Sequence, residues 1–198
     1  MNKPFTTHTG IAAPLRRDNI DTDQIIPSRE MKTVSKTGLS GGLFAGQRYT
    51  EGRTPNPDFV LNRPDYTNAT VFVGGRNFGC GSSREHAVWA LKEYGIRAII
   101  APSFGEIFHG NLIANGLLPI QISSAAIDQL PREVTIDLPA QTISGQRFEI
   151  DASAKRRLVE GLDAIAETLQ SRAEIEGFLE RDRKARPWVY EGVKGCFT

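Results

Sequence analysis

The feature that most constrains this chain is a strand–turn–helix junction that runs from Val71 to Leu91. Its first residues, Val71 to Val73, form a short apolar run typical of a buried strand. Four glycines follow between residues 74 and 81, and an amphipathic segment then continues to Gly95, which is typical of a helix C-terminal cap. Such a junction presents unpaired backbone N–H groups and the positive end of a helix dipole above the sheet. The sequence therefore predicts a site for an anion.

The elements after this junction repeat the order of strand and helix. Residues 98–101 and 117–122 predict strands, and residues 103–114 predict a helix between them. Residues 71–122 are therefore expected to form a βαβαβ unit with parallel strands and right-handed crossovers.

Antiparallel strands and further helices are predicted after the βαβαβ unit. Residues 134–138 and 147–150 flank Ser144-Gly145, which is typical of a β-hairpin. Residues 154–169 and 171–183 then predict two helices. The fold class is therefore α/β, with a parallel core, added antiparallel strands and C-terminal helices.

Length and composition are those of an ordinary globular domain. The 198 residues, of which 39% are hydrophobic and 24% charged, fit a single domain over residues 1–198. A net charge of +1 disfavours nucleic acid and an anionic membrane surface as partners. No apolar run approaches the roughly 20 residues of a membrane helix, and the N-terminus lacks the apolar core of a secretory signal, so we expect a cytoplasmic protein. The two cysteines, Cys80 and Cys196, are too few to ligate an iron–sulfur cluster by themselves.

The segment from residue 28 to about residue 64 lacks a regular period. Glycines alternate with lysines and arginines in its first half, and prolines interrupt its second half. So long a segment inside a compact domain is typical of a functional lid or of disorder. We interpret it as a flexible substrate-recognition loop, anchored at its far end by Phe59, Val60 and Leu61 and ordered when a partner docks.

Three acids lie within six positions between Asp18 and Asp23. They resemble part of a calcium loop, but the glycine and the terminal glutamate of that loop are missing. We interpret Asp18, Asn19 and Asp21 as residues that shape turns through side-chain to backbone hydrogen bonds. Asp23, shortly before an apolar pair, is a candidate for the edge of a cleft.

Ser82 has two competing interpretations. Ser82 and Glu85 match the capping box, in which a serine caps a helix, and the same spacing recurs from Ser103 and from Ser171. A cap alone, however, needs neither the flanking glycines nor Arg84, which can bind a carboxylate in a bidentate way. The second interpretation is therefore a carboxylate site built from hydroxyl, guanidinium and N–H donors.

Other catalytic motifs do not match the turn. It lacks the lysine of a P-loop and the Gly-x-Ser-x-Gly of a hydrolase elbow, and Arg84 replaces the third glycine of a dinucleotide fingerprint. Cys80 and His86 suggest a thiol nucleophile, but His86 lies inside the predicted helix and is interpreted as structural.

The stretch from Asn77 to Ala87 resembles the signature of the swivelling domain of the aconitase superfamily. More closely, the chain is similar nearly from end to end to the small-subunit family of the bacterial 3-isopropylmalate dehydratases. The segments that carry this similarity are 19–27, 36–39, 59–62, 77–87, 101–104, 115–119 and 158–169. The resemblance implies a swivelling β/β/α fold and a hydro-lyase that isomerises isopropylmalate by dehydration and rehydration in leucine biosynthesis.

The resemblance also implies a division of labour between two chains. A separate large subunit would carry a [4Fe-4S] cluster and pair with this chain as a heterodimer, and this chain alone would bind no metal. The implied catalytic residues are Ser82, as the base, and Asp23, in proton handling. The implied substrate-binding residues are Gly81, Ser83, Arg84, Arg29 and Lys32. Arg29 lies where the family recognises the variable part of the substrate.

One position departs from the family's pattern. An aromatic and then an aliphatic residue are expected after Arg29, but this chain has Glu30 and Met31. Either Glu30 points to solvent, or the enzyme acts on a close relative of isopropylmalate such as 2-methylmalate or citraconate. A non-catalytic anion-binding module with the same glycine turn is the further alternative.

Overall fold

The computed structural model describes residues 2–31 and 35–190. The chain divides into two compact units that meet in sequence between Asp163 and Ala164. The first unit is a mixed sheet with helices against both of its faces, and the second consists of two helices and a short 3-10 turn. Within the described residues, no helix is long and apolar enough to cross a membrane.

Seven strands form the sheet of the first unit. They are β1 (Thr7–Leu15), β2 (Val71–Gly74), β3 (Ala98–Ala101), β4 (Leu118–Gln121), β5 (Glu133–Asp137), β6 (Thr142–Ile143) and β7 (Gln146–Arg147). Their spatial order is β4-β3-β2-β1-β5-β6-β7. The pairs from β1 to β4 are parallel, whereas β5, β6 and β7 continue antiparallel from the other edge of β1. The predicted α/β fold class and the parallel βαβαβ unit are therefore confirmed.

Helices connect these strands and continue into the second unit. The α-helices are α1 (Thr22–Ile25), α2 (Ala45–Arg48), α3 (Glu85–Tyr94), α4 (Glu106–Ala114), α5 (Ser124–Asp128), α6 (Ala152–Glu160), α7 (Ala164–Gln170) and α8 (Arg172–Ala185). Short 3-10 turns lie at Ser28–Glu30, Ser40–Gly42, Glu51–Arg53, Val60–Asn62, Pro64–Tyr66 and Pro187–Val189. Gly95 ends α3 in the left-handed conformation, as the sequence predicted.

Two predictions were wrong in detail. Ser144 and Gly145 do connect a hairpin, but that hairpin joins β6 to β7, and β5 pairs with β1 and β6 instead. The helix predicted over 154–169 is interrupted, because Gly161 adopts a left-handed backbone with a φ of +68° and ends α6.

The alternation of side chains along β2 divides the core into two clusters. Phe72 points into the first cluster, where its ring lies 5.3 Å from that of Phe44 and 5.7 Å from that of Phe78. Val71 and Val73 point into the second cluster, on the opposite face of the sheet. Helix α3 packs into the first cluster and α6 into the second.

Much of the segment over residues 28–64 belongs to the first cluster. Leu39, Leu43 and Phe44 are fully buried, and the predicted anchor over 59–61 is buried as well. Each large apolar side chain buried in this way stabilises the fold by roughly 1.5–3 kcal/mol. The segment is thus attached to the core at two places, and the mobility of what lies between them stays a prediction.

Candidate active site

Three loops meet at the carboxyl edge of the parallel strands, because those strands end side by side. Leu15 at the end of β1 is in register with Gly74 at the end of β2, and β3 follows on the far side. The loop after β2 is hydrogen-bonded to both neighbours. The N–H of Gly79 donates to the carbonyl of Ile20 at 2.7 Å, and the N–H of Phe78 donates to the carbonyl of Ser103 at 3.0 Å. Ligand sites of α/β sheets commonly form at this edge.

Two glycines give the loop after β2 its course. Gly79 has a φ of +74°, and a Cβ built on it would lie 2.2 Å from the ring of Phe108. Gly81 has a φ of +90°, a region that L side chains rarely adopt. The turn therefore requires glycine at residue 79 for both conformation and space, and at residue 81 for conformation.

Ser82 lies outside the helix that it was thought to cap. Helix α3 begins at Glu85, and its N-cap residue is Arg84, whose backbone is extended and whose side chain makes no capping bond. Ser103 is equally remote from a cap, because its Oγ accepts from the N–H of Asn77 at 2.8 Å. Ser171 is the N-cap residue of α8 but forms no side-chain capping bond. The capping-box interpretation is therefore wrong at all three serines.

Ser82 and its neighbours line a cavity of about 290 Å³. The lining residues are Thr22, Asn77, Gly79, Cys80, Gly81, Ser82, Ser83, Arg84, Gly105, Glu106, Ile107, Phe108 and Asn111. Ser82 and Ser83 are exposed, and within the described residues the backbone N–H groups of Ser82, Ser83 and Arg84 donate to no acceptor. Ser82 and Ser83, with their hydroxyls, and the free N–H donors of residues 82–84 thus belong to the lining of this cavity near the start of α3, an arrangement suited to a carboxylate.

Arg84 is held at the rim of the cavity by Asp23. The Arg84 guanidinium forms an ion pair with the Asp23 carboxylate, and their side chains are 26% and 54% exposed. Asp23 lies in α1, which is capped by Asp21: the Asp21 Oδ1 accepts from the N–H of Gln24 at 2.7 Å. Asp23 was predicted at the edge of a cleft, and it lines a second cavity of about 340 Å³. The ion pair therefore joins the two cavities.

The second cavity also contains Arg29, whose side chain is 67% exposed. Its neighbour Glu30 does not point to solvent, which corrects the first alternative given for that residue. The Glu30 side chain is only 15% exposed, and its two oxygens accept from Arg53 Nη1 at 2.9 and 3.1 Å. The acid is thereby neutralised by a partner within the chain. Lys32, the remaining predicted substrate-binding residue, lies outside the described residues.

Of the residues upstream of α1 that were predicted to shape turns, Asp21 makes a local bond of the predicted kind, whereas Asp18 binds a backbone N–H that is distant in sequence. The backbone N–H of Arg76 donates to Asp18 Oδ1 at 2.8 Å, and this bond, together with the Arg76 guanidinium, holds the pKa of Asp18 below its ordinary value. Asn19 adopts a left-handed backbone with a φ of 56°. Among the described residues, no group of three or more His, Cys, Asp or Glu side chains could hold a metal ion.

The histidines take no part in the cavity. His86 lies in α3, and its ring packs against Trp89 at a centroid distance of 4.7 Å. Burial lowers the pKa of His109, which lines a wide cleft of about 1170 Å³ instead. That cleft is the larger space, but none of the residues predicted for the site line it, so the smaller cavity is the candidate site.

The similarity to known proteins now decides the family. The family model of the aconitase C-terminal domain matches residues 2–125. A 3-isopropylmalate dehydratase small subunit from Cupriavidus necator is 53% identical over 204 residues, which cover 95% of this chain and 98% of that protein. The chain belongs to the 3-isopropylmalate dehydratase small-subunit family.

Further members of that family agree. A 3-isopropylmalate dehydratase small subunit from Sinorhizobium fredii is 50% identical over 93% of this chain and 98% of its own length. The crystal structure of a 3-isopropylmalate dehydratase from Methanocaldococcus jannaschii matches with a TM-score of 0.65 and 31% identity, and the match covers 86% of this chain and 98% of that one. The 3-isopropylmalate dehydratase small-subunit fold is thus present over most of the chain.

Sequence reasoning missed two side chains that join distant segments of the chain, Thr22 at this site and Glu93 near the other end of α3. Thr22 donates its hydroxyl to the carbonyl of Ser82, and Glu93 accepts three backbone N–H groups from residues 38–40. Neither interaction has a local signal, because the partners are more than fifty residues apart in the chain.

Proposed function

We propose that this chain is the small subunit of a two-chain hydro-lyase that interconverts 2-isopropylmalate and 3-isopropylmalate in leucine biosynthesis. The observation that carries the proposal is the exposed Ser82 hydroxyl on the wall of the 290 Å³ cavity, beside free N–H donors and Arg84. Its partner is the large subunit of the dehydratase, and its location is the cytoplasm.

The residues of the turn take distinct roles in this reaction. Arg84 binds one carboxylate of the substrate, and Asp23 fixes the orientation of the guanidinium and assists proton handling. The Ser82 alkoxide removes the proton from the carbon next to a carboxylate and becomes a hydroxyl, and hydroxide leaves the neighbouring carbon, so that the proton and the hydroxide together amount to one water. Rehydration adds a proton to the carbon that lost hydroxide and hydroxide to the carbon that lost the proton, which regenerates the Ser82 alkoxide. A serine hydroxyl is a weak acid, so its alkoxide needs the N–H donors, the positive helix end and Arg84 for stabilisation.

The iron–sulfur cluster implied by the family does not fit the described residues of this chain. Cys80 is the one cysteine among them, and no group of metal-binding side chains is found in that part of the chain. A cluster of this kind requires several thiolates. We therefore infer that the large subunit carries the cluster, and that this chain supplies the base and part of the carboxylate site.

The pairing of Glu30 with Arg53 removes the objection to an isopropyl-bearing substrate that an unpaired acid would raise. A free acid beside Arg29 would repel a dicarboxylate and suit no alkyl group, but Arg53 pairs with this acid and Met31 packs against the first core cluster. The position that departs from the family's pattern thus places no unpaired charge beside the site.

Substitution of Ser82 by alanine tests the catalytic role. General-base removal lowers kcat by about 100- to 10,000-fold, so Ser82→Ala should lose turnover in an anaerobic assay with the cluster-loaded large subunit, while it still folds and assembles. Ser124→Ala, at an exposed serine far from the turn in sequence, is the control and should retain activity.

The same assay separates the alternatives. Isopropylmaleate and citraconate are offered in parallel, and a preference for citraconate would assign the chain to the related hydratase. Full activity of Ser82→Ala would exclude Ser82 as the base. An inactive wild-type mixture, with a large subunit shown to be competent, would favour the non-catalytic anion-binding module.

A further inference from the structure

Two polar side chains are buried in the described part of the chain. Thr22 is bonded to the turn that carries Ser82, and Asn115 is bonded to Glu85 at the start of the helix that follows this turn. Thr22 is 2% exposed and Asn115 is 6% exposed. Burial of a polar group is unfavourable unless that group is hydrogen-bonded, so the partners of such residues indicate what they stabilise.

Thr22 holds the turn at the serine itself. Its Oγ1 donates to the carbonyl of Ser82 at 2.9 Å, and its backbone N–H donates to the carbonyl of Cys80 at 3.0 Å. Thr22 is in turn fixed as the first residue of α1, whose N-terminus is capped by Asp21. The exposed serine is therefore attached through its backbone to a buried group.

Asn115 holds the turn from the opposite side, through Glu85. Its Nδ2 donates to Glu85 Oε1 at 2.8 Å and to the carbonyl of Asn111 at 2.9 Å, and its Oδ1 accepts from Trp89 Nε1 at 3.1 Å. Glu85 is the first residue of α3 and directly follows Arg84. A buried amide with all these partners satisfied fixes the start of α3 against the end of α4.

We propose that Thr22 and Asn115 are positioning residues for the reaction, Thr22 acting through the backbone of Ser82 and Asn115 acting through Glu85 on Arg84. This inference rests on the proposed function. The three residues between these attachments are Ser82 to Arg84. Apart from the bond from Thr22, the ion pair with Asp23 and the Arg84 carbonyl, which accepts from the N–H of Ala87 at 3.1 Å, they form no other hydrogen bond within the described residues. Without the attachments the Ser82 oxygen would not be held at a reacting distance, and a misplacement of about 1 Å lowers the rate by about 100-fold.

The activity test compares Thr22→Val, which removes the hydroxyl, with Thr22→Ser, which retains it. We expect Thr22→Val to lower kcat by about 10- to 100-fold with little change in KM, because Ser82 acts in the chemical step. Thr22→Ser should recover most of the loss. Asn115→Asp, which cannot donate to Glu85, should mainly raise KM, because Arg84 binds the substrate. The control is Thr67→Val, because the Thr67 hydroxyl is exposed and donates to the carbonyls of Arg63 and Pro64.

A second measurement does not depend on activity. Hydrogen exchange of the free chain should be faster than in wild type and Thr67→Val at the hydrogen-bonded amides beside the turn, namely those of Thr22 and Gly79 in Thr22→Val and that of Ala87 in Asn115→Asp. A lower melting temperature with unchanged kcat and unchanged exchange at these amides would mean a purely structural role and would overturn the proposal. If the wild-type mixture is inactive, the proposed function fails, and the exchange result alone decides whether these residues hold the turn.

Discussion

Glu93 offers a quantitative test of how the segment over residues 28–64 is attached to α3. Its carboxylate accepts the backbone N–H groups of Gly38 at 2.6 Å, Leu39 at 2.6 Å and Ser40 at 2.9 Å. In Glu93→Gln one oxygen becomes an NH₂ group that faces an N–H donor. A hydrogen bond to a charged group contributes about 1.5–3 kcal/mol, but solvent screening at this exposed site reduces the total. We expect Glu93→Gln to lower the free energy of unfolding by about 1–3 kcal/mol.

The pH dependence of stability gives the sign of the effect. The N–H of Gly38, followed by those of Leu39 and Ser40, lowers the pKa of Glu93 in the folded chain. The unfolded value is about 4.3, so the contribution is fully present above that pH and is lost as the pH falls through the lower folded pKa. This contribution to the free energy of unfolding is measured by urea unfolding of wild type, Glu93→Gln and the exposed control Glu149→Gln at neutral and acid pH. Equal stability of wild type and Glu93→Gln at pH 7, or a difference that does not narrow in acid, would refute the reasoning.

Two further substitutions test the turn and the second cavity. In a thermal melt, Gly79→Ala should destabilise the chain by about 2–5 kcal/mol, because it combines left-handed strain with overlap on Phe108. The control is Gly110→Ala, which should be neutral or stabilising in the same measurement because Gly110 lies in α4 with open space around a Cβ. Arg53→Gln removes the nearer partner of the largely buried Glu30 carboxylate and leaves it only Arg29, whose Nε lies 3.7 Å from Glu30 Oε1, so KM for the dicarboxylate should rise several-fold. An unchanged KM in steady-state kinetics would contradict the role given to the pair of Arg53 and Glu30.

Much of the fold was predictable because its central elements carry local signals. The apolar runs of β2, β3 and β4 and the glycines that end α3 and α4 are readable residue by residue. Strand β1 was not predicted, because Gly10 and Pro14 interrupt its pattern and its conformation depends on partners along both edges. The break at Gly161 was missed because a single glycine inside a helical pattern does not by itself determine where the helix ends.

The site shows the same division between local and distant signals. Gly81, Ser82, Ser83 and Arg84 are contiguous, so their chemistry is legible in the sequence, and the structure places them on one cavity wall. The capping box failed because its spacing requires a helix to start directly after the serine, whereas the backbone of Arg84 is extended. The support from Thr22 comes from a contact sixty residues away, which no local pattern records.

The position of β1 in the sheet has a consequence for the synthesis of the chain. This strand precedes the other six strands of the sheet in the chain, yet one of its edges pairs with residues 71–74 and the other with residues 133–137. A nascent chain that ends before residue 133 carries β1 with an open edge, and such an edge is a template for pairing with other chains. Truncations that end before residue 133 should therefore aggregate or remain bound to chaperones. The emergence of residue 137 from the ribosome sets the earliest moment at which both edges of β1 can be covered.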